Sequence, residues 1–145
     1  MAIQRISAEK AFEHMQDGVP YIDVRTGMEF EAGHPEGSYH IPLAVYDPRS
    51  GMMALNPDFL PTMKEHFPVD APVMVACKAG VRSANAAILL EREGYQTVLE
   101  VGPGWSGGPD ENGMYAPGWA TCGFPANTGD GGKRSFESLR VEADD

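Results

Sequence analysis

Short continuous apolar runs alternate along the chain with stretches in which apolar residues return every three or four positions. Ile3 to Ile6 predicts a first strand, and Ser7 caps a helix that carries Ala8, Ala11, Phe12 and Met15 on one face before Gly18 stops it. Val19 to Val24 predicts a short buried strand whose end is polar, at Asp23 and Arg25. Met28 to Ala32 suffices for one or two helical turns, Gly33 to Gly37 is turn chemistry, and Ser38 to Ile41 predicts another strand. Pro57 to Phe67 predicts a helix with Phe59, Leu60, Met63 and Phe67 on one face; Pro61 disturbs its first turn.

Val73 to Ala76 is apolar throughout, as a central parallel strand covered on both faces requires. From Ser83 to Glu93 most of a helix circumference is apolar, which predicts a largely buried helix ending at a left-handed Gly94. Thr97 to Val101 supplies a last strand. Strands alternating with helices predict an α/β fold, a central and mainly parallel sheet flanked by helices. Gly102 to Gly118, rich in glycine and proline, is expected to be an ordered loop or cover without helix or strand. One domain is expected over residues 1–126, followed by a polar tail at 127–145.

The length of 145 residues and the mix of 42% hydrophobic with 22% charged residues fit one globular domain with a real core. The net charge of −10 disfavours nucleic acid and anionic membrane as partners, since both demand basic patches. The first residues carry no apolar leader, and no stretch is long enough to span a bilayer. Two cysteines, Cys77 and Cys122, make no disulfide framework, so a reducing compartment, the cytoplasm, is expected.

An anionic substrate of so acidic a chain needs a local positive site, and one stands after the apolar strand. Cys77 begins the loop Cys77-Lys78-Ala79-Gly80-Val81-Arg82, which leads into a helix N-terminus. Ligands of open α/β sheets bind at such strand ends. A curled loop containing Gly80 turns its amides inward as an anion nest, and the helix dipole adds to it. Amides, Lys78 and Arg82 would favour a thiolate; Arg82 would fork onto a sulfonate or phosphate, and Lys78 would act as a point charge at the entrance. The competing reading is a small buried cysteine at the end of a core strand.

At these residues the chain resembles the rhodanese family, whose active-site loop Cys77-Lys78-Ala79-Gly80-Val81-Arg82-Ser83 is similar to. Asp23-Val24-Arg25, Glu29-Phe30, Gly33-His34-Pro35-Glu36-Gly37-Ser38 and His40-Ile41-Pro42 resemble its first motif. Gly94-Tyr95 and Val101-Gly102-Pro103-Gly104-Trp105 resemble its closing region, and Gly118-Trp119 with Gly123-Phe124-Pro125 the ending of some bacterial members. Pro35, Pro103 and Lys78 depart from the usual residues. The resemblance implies a thiosulfate sulfurtransferase in which Cys77 is catalytic and Lys78, Ala79, Gly80, Val81 and Arg82 bind substrate. It implies a small anionic sulfur donor, a thiophilic acceptor, possible protein donors or acceptors, a ping-pong persulfide mechanism and no cofactor.

Asp23, Arg25 and Glu29 read as a brace between loops. His14, His34, His40 and His66 lack ligand spacing, so no metal is expected, and His40 is expected to bond backbone. Cys122 reads as a bystander, and Trp105 and Trp119 as packing groups. Two other functions stay open: a persulfide carrier that docks a partner, and a phosphatase or arsenate reductase relative. Against the latter, only four residues separate Cys77 from Arg82.

Overall fold

A computed structural model describes residues 2–144. The chain order is β1 (Ile3–Ile6), α1 (Ala8–Gln16), β2 (Tyr21–Asp23), α2 (Gly27–Ala32), β3 (His34–Pro35), β4 (Tyr39–His40), β5 (Ala44–Asp47) and β6 (Met52–Leu55). It continues with α3 (Phe59–His66), β7 (Val73–Ala76), α4 (Val81–Arg92), β8 (Val98–Val101), β9 (Gly107–Pro109), β10 (Tyr115–Pro117), α5 (Trp119–Cys122), β11 (Ala126–Asn127) and α6 (Phe136–Leu139). The central sheet has the order β1-β8-β7-β2-β4, and every pairing in it is parallel. The predicted α/β class holds. No helix among the described residues is long and apolar enough to cross a membrane.

The two faces of the sheet bury different sets, because successive strand residues point to opposite sides. Ile22, Val73, Val75, Cys77 and Val98 pack with Ala86, Ala87 and Leu90 of α4 and Phe59 and Met63 of α3. Tyr21, Met74, Ala76, Leu99 and Val101 pack with Ala11 of α1 and Trp119 of α5. Trp119 is fully buried, with edge contacts to Tyr21 and Phe12.

Four expectations need correction. Helix α4 begins at Val81 rather than Ser83, and in place of a largely buried helix only Ser83, Ala86, Ala87 and Leu90 are buried, with Ile88 exposed. The strand expected from Val19 pairs only over Tyr21–Asp23. Within the turn chemistry of 33–37, His34 and Pro35 pair antiparallel with Asn127 and Ala126. The glycine-rich cover holds a hairpin, β9 against β10, since backbone pairing needs no side-chain alternation. A second hairpin, β5 against β6, forms a two-stranded sheet separate from the central one.

The polar segment beyond Asn127 folds back over α3. Leu139 enters the core, His66 Nε2 lies 2.7 Å from its carbonyl, and Arg140 Nε donates to Asp58 at 2.7 Å. The Val141 amide donates to Thr62 Oγ1 at 3.0 Å, and the Ala143 amide to Asp58 at 2.8 Å.

Candidate active site

Strand β7 delivers Cys77 to the carboxyl edge of the sheet, on the α4 side and 2% exposed. The residue at the N-cap of α4 is Gly80, which has no side chain to satisfy the free amides of the first turn. Sulfur takes that place: Gly80 N–H donates to Cys77 Sγ at 3.1 Å and Ser83 N–H at 3.3 Å. The Cys77 sulfur therefore caps the helix, in the field of its positive end.

The loop presents amides inward because its carbonyls are held outward. Trp105 N–H donates to the Cys77 carbonyl at 2.9 Å, and Ser106 N–H to the Lys78 carbonyl at 3.0 Å. This grip needs glycine at two positions. Gly80 has φ +101, and a Cβ there would meet the Gly102 carbonyl at 2.8 Å; Gly104 has φ +57, and a Cβ there would collide with the Cys77 carbonyl.

Two ion pairs brace the surroundings. Asp23 and Arg25, each 3% exposed at the side chain, form a fork at 2.8 to 3.1 Å. Arg25 also donates to the Gly33 carbonyl at 2.6 Å and lies 5.0 Å from the centre of the Trp105 ring. That guanidinium joins the end of β2, the end of α2 and the cover. His40 Nε2 lies 2.8 Å from the Arg25 carbonyl, the expected backbone bond, and burial holds its pKa below 6.5.

Arg82, expected to face an anion, instead forks onto Glu29 at 2.6 and 3.0 Å. Hydrogen bonds from Arg82 hold the Glu29 carboxyl at about 2, against the opposing effect of burial, and Glu29 in turn raises Arg82. Glu29 also closes a capping box with Thr26, a signal of Thr-x-x-Glu spacing visible in sequence. Lys78 and Ala79 are exposed at the loop's outer turn, Val81 is exposed, and Gly80 is buried.

Ser83, Glu100 and Arg5, to which the sequence assigns no role of their own, form a chain that ends on the sulfur. Ser83 Oγ lies 3.4 Å from Cys77 Sγ and donates to Glu100 Oε2 at 2.9 Å. Arg5 Nε donates to Glu100 Oε1 at 2.8 Å. The available signal was Glu100 itself, an acid inside the otherwise apolar run Val98 to Val101.

Cys122 lies elsewhere, 3.5 Å from Glu9 Oε1; burial and that acid raise its thiol pKa. Both cysteines are free. A cleft of about 540 Å³ runs beside Arg82, between hairpin β5-β6 and α4, lined by Met53, Leu55, Asn85, Ile88 and Arg92 among others.

Fold and site together define a parallel α/β domain whose central strand sets a cysteine beneath a helix N-terminus. Residues 7–108 match the family described as Rhodanese-like domain. Thiosulfate sulfurtransferase GlpE of Haemophilus influenzae (strain PittEE) is 32% identical over 107 residues, covering 74% of this chain and 89% of that protein. Thiosulfate sulfurtransferase 16, chloroplastic, of Arabidopsis thaliana is 32% identical over 120 residues, covering 83% of this chain and 89% of that one. The crystal structure of Rv0390 from M. tuberculosis superposes with a TM-score of 0.69 at 26% identity, covering 87% of this chain and 98% of the other. The chain belongs to the rhodanese family of sulfurtransferases.

Proposed function

We propose that the protein moves sulfane sulfur from thiosulfate, or a similar small anion, to a thiophilic acceptor through a persulfide on Cys77. The observation that carries this reading is the pair of amides, Gly80 and Ser83, aimed at one buried sulfur. In the first half-reaction the Cys77 thiolate attacks the outer sulfur of thiosulfate; the S–S bond breaks and sulfite leaves with its electron pair. In the second, the acceptor attacks the outer sulfur of the persulfide and the Cys77 thiolate departs. The two amides stabilise the sulfur anion in both halves, as an oxyanion hole would.

Lys78 draws the anionic donor to the mouth; Ala79 and Val81 frame it; Arg82, tethered to Glu29, contributes a fixed positive field rather than a moving fork. The reaction needs no dissociable cofactor, and a reducing cytoplasm keeps the thiol available. The phosphatase reading loses support on the same geometry, because the arginine a phosphate cradle needs is engaged by Glu29.

A carrier reading is favoured by one feature. Cys77 is only 2% exposed, whereas Tyr46, Met52, Met53, Leu55 and Ile88 are exposed on hairpin β5-β6 and α4, the elements that wall the cleft beside Arg82. An acceptor protein would bury such groups as it reached the sulfur. One experiment separates the readings. The protein is incubated with thiosulfate and intact mass is read for one added sulfur, then thiocyanate formation from cyanide is measured beside Cys77→Ser. Mass gain and turnover, both lost in the variant, are expected. Absence of both overturns the proposal, and a stable persulfide without turnover selects the carrier.

A further inference from the structure

Glu100 is 2% exposed and sits opposite Val75 in the β7-β8 register, two residues before Cys77 on the same sheet face. Its neighbours on that face are Val73, Val75 and Val98 of the apolar core. A carboxylate in such a place is costly unless every lone pair is engaged. Two groups engage it, Arg5 Nε and the Ser83 hydroxyl. Ser83 is fully buried and touches Cys77 Sγ with both its amide and its hydroxyl oxygen. The acid thus lies one hydroxyl away from the reacting sulfur, and the sulfur-transfer steps above make no use of it.

A serine hydroxyl has one proton to give. At 2.9 Å from a carboxylate, a charge-assisted bond takes it. Ser83 then meets Cys77 with oxygen lone pairs, which accept the thiol proton and give nothing to the sulfur anion. We propose that Glu100 is a positioning residue of the sulfur site: it fixes the Ser83 hydroxyl away from Cys77, so that the Gly80 and Ser83 amides alone hold the sulfur anion, while Arg5 offsets the buried charge. A Cys77 thiolate held by two amides, with no third donor, keeps its nucleophilicity toward the outer sulfur of the donor. This last consequence rests on the sulfurtransferase reading; the hydroxyl orientation does not.

The charged and titratable groups around Cys77 are Tyr21, Asp23 and Arg25 from β2 and its exit, Glu29 from α2, Lys78 on the loop, Arg82 from α4, Glu100 from β8 and Arg5 from β1. Asp23 with Arg25 and Glu29 with Arg82 are closed pairs. Among the described residues, the Glu100 and Arg5 pair is the one joined to the sulfur through a hydroxyl.

The test is the rate of Cys77 alkylation by iodoacetamide at pH 7, divided by the rate at pH 10 so that altered access cancels. Peptide mass separates Cys77 from Cys122. In Glu100→Gln the side-chain amide donates to Ser83 Oγ, the hydroxyl turns to the sulfur, and the buried negative charge is gone; the ratio rises about tenfold. In Ser83→Ala the same Glu100→Gln change raises the ratio less than half as much on a logarithmic scale, because the hydroxyl is absent. Arg5→Ala leaves the Glu100 charge without its offset, and the ratio falls. Loosening of the fold would move Glu100→Gln and Arg5→Ala in one direction; that result, or no movement, overturns the proposal. Should Glu100→Gln fail to fold, Arg5→Ala, altered at a half-exposed side chain, decides alone: an unchanged or raised ratio overturns it. Alkylation needs no sulfur donor. A wild-type protein that takes no sulfur from thiosulfate would remove the proposed function and leave this test standing.

Discussion

Replacing Glu29 with Gln asks how firmly Arg82 is tethered beside the sulfur loop. Gln retains a carbonyl oxygen for the Thr26 amide, so the capping box survives, while the charge and the hydrogen bond that Oε2 accepts from Arg82 Nη2 are removed. The Glu29 carboxyl is held at about 2 rather than 4.5, first by hydrogen bonds from Arg82. Fully shielded, that difference would be worth about 3 kcal/mol. The paired side chains are 31% and 29% exposed, and screening reduces the expected value to about 1–2 kcal/mol. Because the folded-state pKa lies below the unfolded one, the contribution is complete above about pH 4.5 and drains away as pH falls through about 2. Urea unfolding of both proteins at pH 7 and pH 3 checks it. A gap of about 1–2 kcal/mol at pH 7 should shrink to less than half by pH 3. An equal gap at both pH values would refute the charge account and leave a packing defect in its place.

Two further substitutions probe the frame. Gly104→Ala should cost about 2–4 kcal/mol in thermal or urea unfolding, because a Cβ collides with the Cys77 carbonyl, whereas Gly113→Ala, left-handed but open to space, should cost about 1 kcal/mol; equal losses would deny the close approach. Arg25→Met leaves Asp23 charged and buried and should cost about 3–5 kcal/mol in urea unfolding, and a loss below about 1 kcal/mol would show that the brace is not structural.

The sheet was legible where strands are covered on both faces. Val73 to Ala76 coincides with β7, and the last strand differs from β8 by one residue, because burial on two sides demands continuous apolar sequence. Hairpin β5-β6 left no such mark. Tyr46, Met52, Met53 and Leu55 are exposed, so no core periodicity records it. The start of α4 carries no capping signal in sequence, because its cap is a sulfur six residues before Ser83, not a side chain beside the first turn. In the site, Cys77 and Gly80 could be read from position and residue type. Whether Arg82 faces an anion or Glu29 could not, since the choice depends on where α2 packs, 53 residues away.

The sulfur site draws support from beyond the stretch that matches the family. That match ends at residue 108, yet Trp119 N–H donates to the Gly104 carbonyl at 2.9 Å and Ala120 N–H to the Trp105 carbonyl at 3.1 Å. Gly118 lies against the Trp105 backbone so closely that a Cβ there would approach its carbonyl oxygen to 2.5 Å. Trp105 is the residue whose amide holds the Cys77 carbonyl outward. Trp119 anchors this relay with a fully buried ring on the α1 side of the sheet. Sulfur, loop carbonyl, cover and α5 thus form one continuous chain of contacts. The inward turn of the Gly80 and Ser83 amides is set on one side by the helix they begin and on the other by residues 104–120, which keep the competing carbonyls away from the sulfur.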